Sequence, residues 1–459
     1  MPQTRRSFLK HSALIALAAG PASAAAASSL TTLVARRPAR LGPNGKLAVA
    51  SVGVGGMGGT DMPTVAGHGD VELVAICDMN RAVLEEAGSK YPKAARFQDW
   101  REMLAKLGDK VDAITCSTPD HMHAPVAMSA LNAGKHVYCQ KPLARLAYEN
   151  RQLAQAAAQK PTLVTQMGTQ RYAKAERRQG VILMEQDVVG KIKELHGWTD
   201  RPAGWWPCGQ PRPKGSDAVP DGLGWDFFLG VAPERPYVKD AYTPFRWRGF
   251  YDFGTGAIGD MACHIMDVPF YGLGLTYPTS ITCECTDATD DEYPTQETIR
   301  MVFPGTAKTA GGPFSFTWYD GGRKPDFASL GLPKDLKLPN DGAAVMVGEN
   351  GTLVQPCDGM SPMVFREGRK VDMKLPECTT TNHWHDWVNA CMGRGKARSP
   401  FQIAGLMCET LSLGAISSRF PGATLSYDQA SMAFKGNAEA TAWVRRPYRK
   451  GWEVPGLST

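Results

Sequence analysis

Two groups of residues in this 459-residue chain have types and spacings suited to chemistry. The first is Gln140-Lys141-Pro142, at the carboxyl end of the apolar segment 136–140. An ammonium held at a strand end by the following proline can hydrogen-bond a substrate hydroxyl and stabilise charge as its proton leaves. The second is the run 254–267, in which Asp260 and His264 are four apart. On a helix that spacing stacks both on one face. An imidazole across from a lysine can take a carbinol proton, and a carboxylate beside it can orient the substrate. Each residue also has a plainer reading: a lysine in a solvated turn, an aspartate capping a helix, a histidine satisfied in a core.

The elements that must position these groups are readable. Leu47 to Val52 is apolar enough for a buried parallel strand. It runs into Gly53-Val54-Gly55-Gly56-Met57-Gly58, a G-x-G-x-x-G turn. Gly53 permits the tight turn, Gly55 lets the backbone approach a pyrophosphate, and Gly58 lets the next helix pack on the strand. That helix would aim free N–H groups at the phosphates. Val71 to Cys77 reads as the second strand, and Asp78 stands where a carboxylate accepts ribose hydroxyls. Asp78 favours NAD because it repels a 2′-phosphate. Arg81, three residues on, could accept that phosphate, which keeps NADP open.

Strand and helix patterns then alternate to residue 170. Helices are predicted over 81–90, 99–107, 124–133 and 148–160, with strands near 97 and over 111–117, 136–140 and 163–167. This is α/β, a doubly wound parallel sheet. Ligands bind such sheets at the carboxyl ends of the strands. Thr118-Pro119-Asp120-His121-Met122-His123, Gln140-Lys141-Pro142 and Gln166-Met167-Gly168 all stand there. Residues 171–459 have another texture: 194–303 is rich in Trp, Gly, Pro and aromatics, and strands are expected over 280–285, 298–303, 315–319 and 344–347. Helices are expected over 382–392 and 402–418. An α+β domain with a mostly antiparallel open sheet fits. Its Trp-rich insert, 198–250, gathers Trp198, Trp205, Trp206, Trp225 and Trp247 with Arg201, Arg246 and Arg248. Aromatic faces stack on sugar C–H faces, but tryptophans also simply pack domains. Trp247 and Arg248, just before the glycine-rich run, are the favoured pocket residues.

Composition narrows the class. The formal charge of +6 includes Arg5, Arg6 and Lys10, and beyond residue 24 there are 48 basic against 45 acidic groups. That is no nucleic-acid footprint. Thr4-Arg5-Arg6-Ser7-Phe8-Leu9-Lys10, the apolar stretch 13–19 and Ala22-Ser23-Ala24 read as a twin-arginine leader over 1–24, with a linker over 25–45. Export through that pathway to the periplasm is the expectation, with no lasting membrane insertion. The 11 cysteines are scattered without a CxxC, and no metal site is expected.

The chain resembles the glucose–fructose oxidoreductase / inositol dehydrogenase (Gfo/Idh/MocA) family, in particular its twin-arginine-exported branch. The resemblance rests on Gly53 to Gly58, Thr118 to His123, Ala133-Gly134-Lys135-His136-Val137, Gln140-Lys141-Pro142 and the Asp260/His264 pair, and spans about 46–420. It implies an NAD(P)-dependent oxidoreductase moving hydride to or from a sugar, cyclitol or polyol. Lys141 would be the family's catalytic lysine, His264 the proton acceptor or donor, and Asp260 the residue that binds and orients the sugar. Cofactor contacts are expected from Gly53, Gly55, Gly56, Met57, Gly58, Asp78, Arg81, Thr118, Pro119, His123, Gln140, Lys141 and Gln166, and substrate contacts from Lys141, Trp247, Arg248, Asp260 and His264. A homo-oligomer is expected. The family's glutamate before the lysine is Gln140 here, which removes a charge near the cofactor. Two rivals stay open: an NAD-dependent glycosidase working by transient C3 oxidation with no net redox change, and a cofactor-retaining binding protein without turnover.

Overall fold

The computed structural model describes residues 45–458. The expected leader and, but for residue 45, the expected linker lie outside the described residues.

The first sheet has six parallel strands: β1 (Leu47–Val52), β2 (Val71–Cys77), β3 (Ala95–Phe97), β4 (Ala113–Cys116), β5 (His136–Cys139) and β6 (Thr165–Met167). Their order is β3-β2-β1-β4-β5-β6, so the winding of successive strands across the sheet reverses between β1 and β4, which stay parallel. This is the doubly wound topology the alternating pattern predicts, and its ligand crevice lies at that switch point. Every residue of β1, β4 and β5 is buried, because helices cover both sheet faces. Two of these helices begin at short polar caps. Asn80 accepts from Ala82 N–H at the head of Arg81–Lys90, and Asp99 accepts from Arg101 N–H at the head of Trp100–Leu107.

The second sheet has ten strands in the order β14-β13-β12-β11-β7-β10-β9-β8-β15-β16. They are β7 (Ile192–Trp198), β8 (Ser280–Cys285), β9 (Glu297–Phe303), β10 (Phe314–Tyr319), β11 (Ala343–Gly348), β12 (Gly351–Pro356), β13 (Met363–Arg366), β14 (Arg369–Lys370), β15 (Leu425–Asp428) and β16 (Ala433–Phe434). All pairs are antiparallel except β7 with β10. Strand β10 alternates buried and half-buried residues, the period-2 signature of a sheet with one packed face.

The division at residue 170 is not a clean cut. Helix His383–Cys391 returns to the first sheet, and Trp387 and Val388 pack in one core with Leu47, Val49 and Tyr138. Helix Phe401–Ser417 lies along Ala147–Gln159 and joins the main cores of both sheets. The sequence shows both late helices but not where they dock, since an apolar stripe specifies burial and not the partner.

Candidate active site

The glycine turn is built for close approach. Gly53 has φ +77°, and a Cβ there would lie 2.6 Å from Ser117 O. A Cβ on Gly58 would lie 2.0 Å from Gly53 O, so only glycine lets helix Gly58–Ala66 start against the loop. No side chain caps that helix, and a Cβ at Gly56 would meet no atom within 4 Å. Leading N–H groups without a cap, beside an open backbone, form a cradle that fits a pyrophosphate. Met57 stands at its edge, 39% exposed. Asp78 braces the cradle: Oδ2 accepts from Val54 N–H (3.0 Å) and Gly55 N–H (3.3 Å), and Oδ1 from Asn80 N–H (2.9 Å). Burial, only partly offset by those donors, raises its carboxyl above the usual value. A carboxylate has about four lone-pair sites, so room remains for a ribose hydroxyl. Arg81 is exposed and donates to Gln98 Oε1 at 3.3 Å. Its backbone N–H donates to Gly222 O, and Gly224 N–H to Met79 O. The insert therefore folds back beside the ribose end of the cradle, a placement no local signal in the sequence announces.

The loop after β4 mostly joins the two domains. Asp120 accepts from Thr255 Oγ1 at 2.7 Å, and His121 lies 2.7 Å from Phe228 O. His123, expected at the cofactor, is buried with Nδ1 2.7 Å from Pro142 O and Nε2 2.8 Å from Thr118 O. Both ring nitrogens are thus taken by the protein, and the residue fixes the Lys141-Pro142 turn against Thr118 and Pro119. Gln166 is likewise committed: Nε2 donates to His383 O and Oε1 accepts from Arg398 N–H, both at 2.8 Å. Its amide anchors the returning segment rather than reaching the crevice.

Lys141 and Asp260, 119 residues apart, meet at the carboxyl end of β5. Lys141 Nζ donates to Asp260 Oδ1 and to Asp260 O, each at 2.8 Å. Two of its three N–H bonds are so used, leaving one for a substrate oxygen. Asp260 lies in a π turn, Ile258–Ala262, and His264 in the short α turn after it. Such wide turns recur at functional sites. Asp260 also accepts from Arg201 Nη1 on Oδ2 (2.6 Å) and from Arg248 Nε on Oδ1 (3.2 Å). Burial pushes its carboxyl up, but Lys141, Arg248 and Arg201 outweigh burial and hold it far below the ordinary range. It is a permanent anion whose first task is to hold three cations. His264 is buried, and its Nδ1 has no hydrogen-bond partner. Burial first, then the charge of Lys141, pushes its pKa well down, so the imidazole is neutral and able to accept a proton. The buried Arg177–Asp267 pair stands behind it, with Arg177 donating to His264 O.

Gln140 explains its own departure from the family pattern. Its Nε2 donates to Asp61 Oδ1 (3.1 Å) and Oδ2 (2.9 Å), while Lys141 N–H donates to its Oε1. Ser117 and Trp384 also donate to Asp61. The buried carboxylate is supplied by Asp61, one turn into the first helix, and residue 140 must be a donor. Trp247 corrects another expectation. It is 6% exposed, packed with Tyr242, Phe250 and Phe253, and it carries Arg248 over its ring at 4.2 Å. It supports the pocket without lining it. The exposed tryptophan of the insert is Trp205, 52% exposed, with Arg201 stacked on it at 3.8 Å. Arg201, read only as one of the insert's arginines, belongs beside Asp260. Arg171 and Asp341, paired at 2.8 Å, extend the cluster and carry no sequence signal.

The arrangement offers a nucleotide cradle, a lysine with one free donor and a neutral imidazole under the same charge field. Residues 47–169 match the family model described as oxidoreductase family, NAD-binding Rossmann fold, and 204–309 match the model of its C-terminal alpha/beta domain. The chain is 26% identical over 203 residues to a levoglucosan dehydrogenase of Pseudarthrobacter phenanthrenivorans, covering 43% of this chain and 42% of that protein. It is 29% identical over 148 residues to an inositol 2-dehydrogenase of Salmonella typhimurium, covering 32% and 44%. It is 30% identical over 158 residues to a glycosyl hydrolase family 109 protein of a Shewanella species, covering 32% and 33%. The chain thus spans less than half the length of the curated relatives it matches. Among solved structures it resembles the WlbA dehydrogenase from Bordetella pertussis in complex with NADH and UDP-GlcNAcA (TM-score 0.55, 19% identity, 83% of this chain and 99% of that one). It also resembles an aldose-aldose oxidoreductase from Caulobacter crescentus complexed with glycerol (TM-score 0.55, 14% identity, 83% and 99%). At these identities the structural likeness speaks for the fold. With an NAD-binding Rossmann domain followed by the matching C-terminal domain, the chain belongs to the Gfo/Idh/MocA family of oxidoreductases.

Proposed function

We propose that this protein is an exported oxidoreductase that moves hydride between NAD and a hydroxyl-bearing carbon of a sugar, cyclitol or polyol. The observation that carries the reading is the meeting of Lys141 and Asp260 beside His264 at the carboxyl edge of the first sheet. In the oxidising direction the free N–H of Lys141 holds the substrate oxygen. The neutral imidazole of His264 takes the hydroxyl proton, and the ammonium stabilises the growing negative charge on that oxygen. Asp260 fixes the ammonium's direction, and Arg201 and Arg248 keep the carboxylate ionised. A nicotinamide nucleotide held by the Gly53–Gly58 turn and Asp78 would supply the acceptor for the hydride leaving carbon. In the reverse direction His264 returns the proton as hydride reaches the carbonyl carbon. The twin-arginine motif supports export of a chain already loaded with nucleotide, since dinucleotide is scarce outside the cytoplasm.

A second reading is favoured by the match to glycosyl hydrolase family 109 proteins. The same groups would oxidise C3 transiently, permit elimination of the aglycone, and re-reduce the ring after water adds. One experiment separates the readings. The purified chain is offered neutral and acidic sugars, polyols and aryl glycosides, with reduced-nicotinamide absorbance and aglycone release followed together. Net absorbance change with a sugar or polyol supports the dehydrogenase. Aglycone release at constant absorbance and without added nucleotide supports the glycosidase. Neither signal, with nucleotide found in the denatured protein, refutes both.

A further inference from the structure

The site holds more positive charge than its carboxylates balance. Lys141, Arg201 and Arg248 share the single carboxylate of Asp260. Arg201 also lies 3.6 Å from Asp341, and Arg171 lies 2.8 Å from the other oxygen of Asp341. The result is one continuous cluster, four cations on two carboxylates. Two further acids act on the cluster without forming an ion pair in it: Asp120, buried and bonded to Thr255, acts on Arg248 while burial raises its carboxyl, and the exposed Asp358 acts on Arg171. The Arg177–Asp267 pair is already neutral as a unit.

The donors are also incompletely used. Arg201 Nε is buried with no partner. Arg248 bonds Asp260 through Nε, and its two terminal nitrogens take no part in that bond. Its guanidinium is held over the rings of Phe245 (3.9 Å) and Trp247 (4.2 Å), which fixes its plane. Lys141 keeps one N–H free. The side chains of Lys141, Arg171, Arg201 and Arg248 are 12–22% exposed, so they are reachable but poorly hydrated. A neutral polyol would leave the incompletely paired guanidinium groups poorly hydrated, which is costly, whereas an acidic group would satisfy charge and donors together. Planar guanidinium forks suit carboxylate and phosphate oxygens in particular.

Resting on the hydride-transfer reading of this same site, we infer that the reacting sugar carries an acidic group, a carboxylate or a phosphate, seated on Arg171, Arg201 and Arg248. Binding is the decisive measurement because it requires no turnover. Isothermal titration of the nucleotide-loaded protein compares D-glucose and myo-inositol with D-gluconate and D-glucuronate, and with D-glucose 6-phosphate. At least one acidic ligand should bind about tenfold or more tightly than its neutral parent, and its affinity should fall as NaCl rises. The carboxylate and phosphate arms identify the group. Arg171→Gln should weaken the acidic ligand about tenfold, and much more than it weakens the neutral ligand. Asp341→Asn, which adds to the surplus, should tighten the acidic ligand. These opposite signs distinguish charge recognition from a folding defect, which would weaken both, and thermal melts verify each fold. Equal or tighter binding of neutral sugars, or acid binding insensitive to salt and to both substitutions, overturns the inference. Binding of acids with no hydride transfer would refute the function proposed above and leave only the acid-binding site standing, whereas turnover of neutral sugars alone would overturn this inference and leave that function standing.

Discussion

Replacing Gln140 by glutamate restores the residue that the family pattern carries, and here it should be harmful. The Gln140 amide sits 2.9 and 3.1 Å from the two oxygens of Asp61. Asp61 is 0% and Gln140 3% exposed. Burial, partly offset by Ser117, Trp384 and Gln140, already raises the Asp61 carboxyl. At about 3 Å and an effective dielectric of about 20, two carboxylates repel by about 5 kcal/mol. Holding the introduced glutamate protonated instead costs about 1.4 kcal/mol per pH unit above its normal value near 4.3, so about 5 kcal/mol at pH 8 and about 1 kcal/mol at pH 5. The folded pKa of the shared pair is raised, so the folded state binds the extra proton more tightly than the unfolded chain does. Stability should therefore be lost as pH rises from about 4.3 toward that raised pKa. A proton bridging the pair returns about 1 kcal/mol, which leaves an expected loss of about 3–5 kcal/mol at pH 8 and little at pH 5. Chemical denaturation of wild type and Gln140→Glu at both pH values measures it. An unchanged midpoint at pH 8, or a loss of equal size at both pH values, would refute the assignment of Asp61 as the site's buried carboxylate.

Other substitutions probe the remaining parts. Lys141→Met should lower kcat by at least about a hundredfold while nucleotide stays bound, measured by steady-state rates beside the nucleotide released on denaturation. Because His264 is neutral when folded, its proton affinity should not limit the rate until well below pH 6.5, and acidification below that value should destabilise the fold; pH–rate and pH–stability profiles of wild type and His264→Gln test both. Asp260→Asn leaves three cations around a side chain that is only 4% exposed, so a loss of about 3–5 kcal/mol is expected in denaturant unfolding. Asp78→Asn should weaken NAD binding about tenfold and narrow the preference over NADP, read by calorimetric titration with both nucleotides.

The amino-acid order alone determined the cradle and its sheet. Strand, glycine turn, helix and acid are contiguous in the chain, and their physics is local: backbone conformation, helix N–H groups, hydrophobic period. The Asp260–His264 spacing was local in the same way, although the turn that carries it is wider than an α-helix. Tertiary structure alone decided which charges meet. Nothing near Asp260 in sequence announces that Lys141, 119 residues away, and Arg201 share its oxygens. Nothing near Gln140 announces Asp61, 79 residues earlier. It was also tertiary packing that drew His123 and Gln166 away from the crevice and buried Trp247 while exposing Trp205. A side chain's type limits the bonds it can make, but its partner is set by which strands and helices close around it.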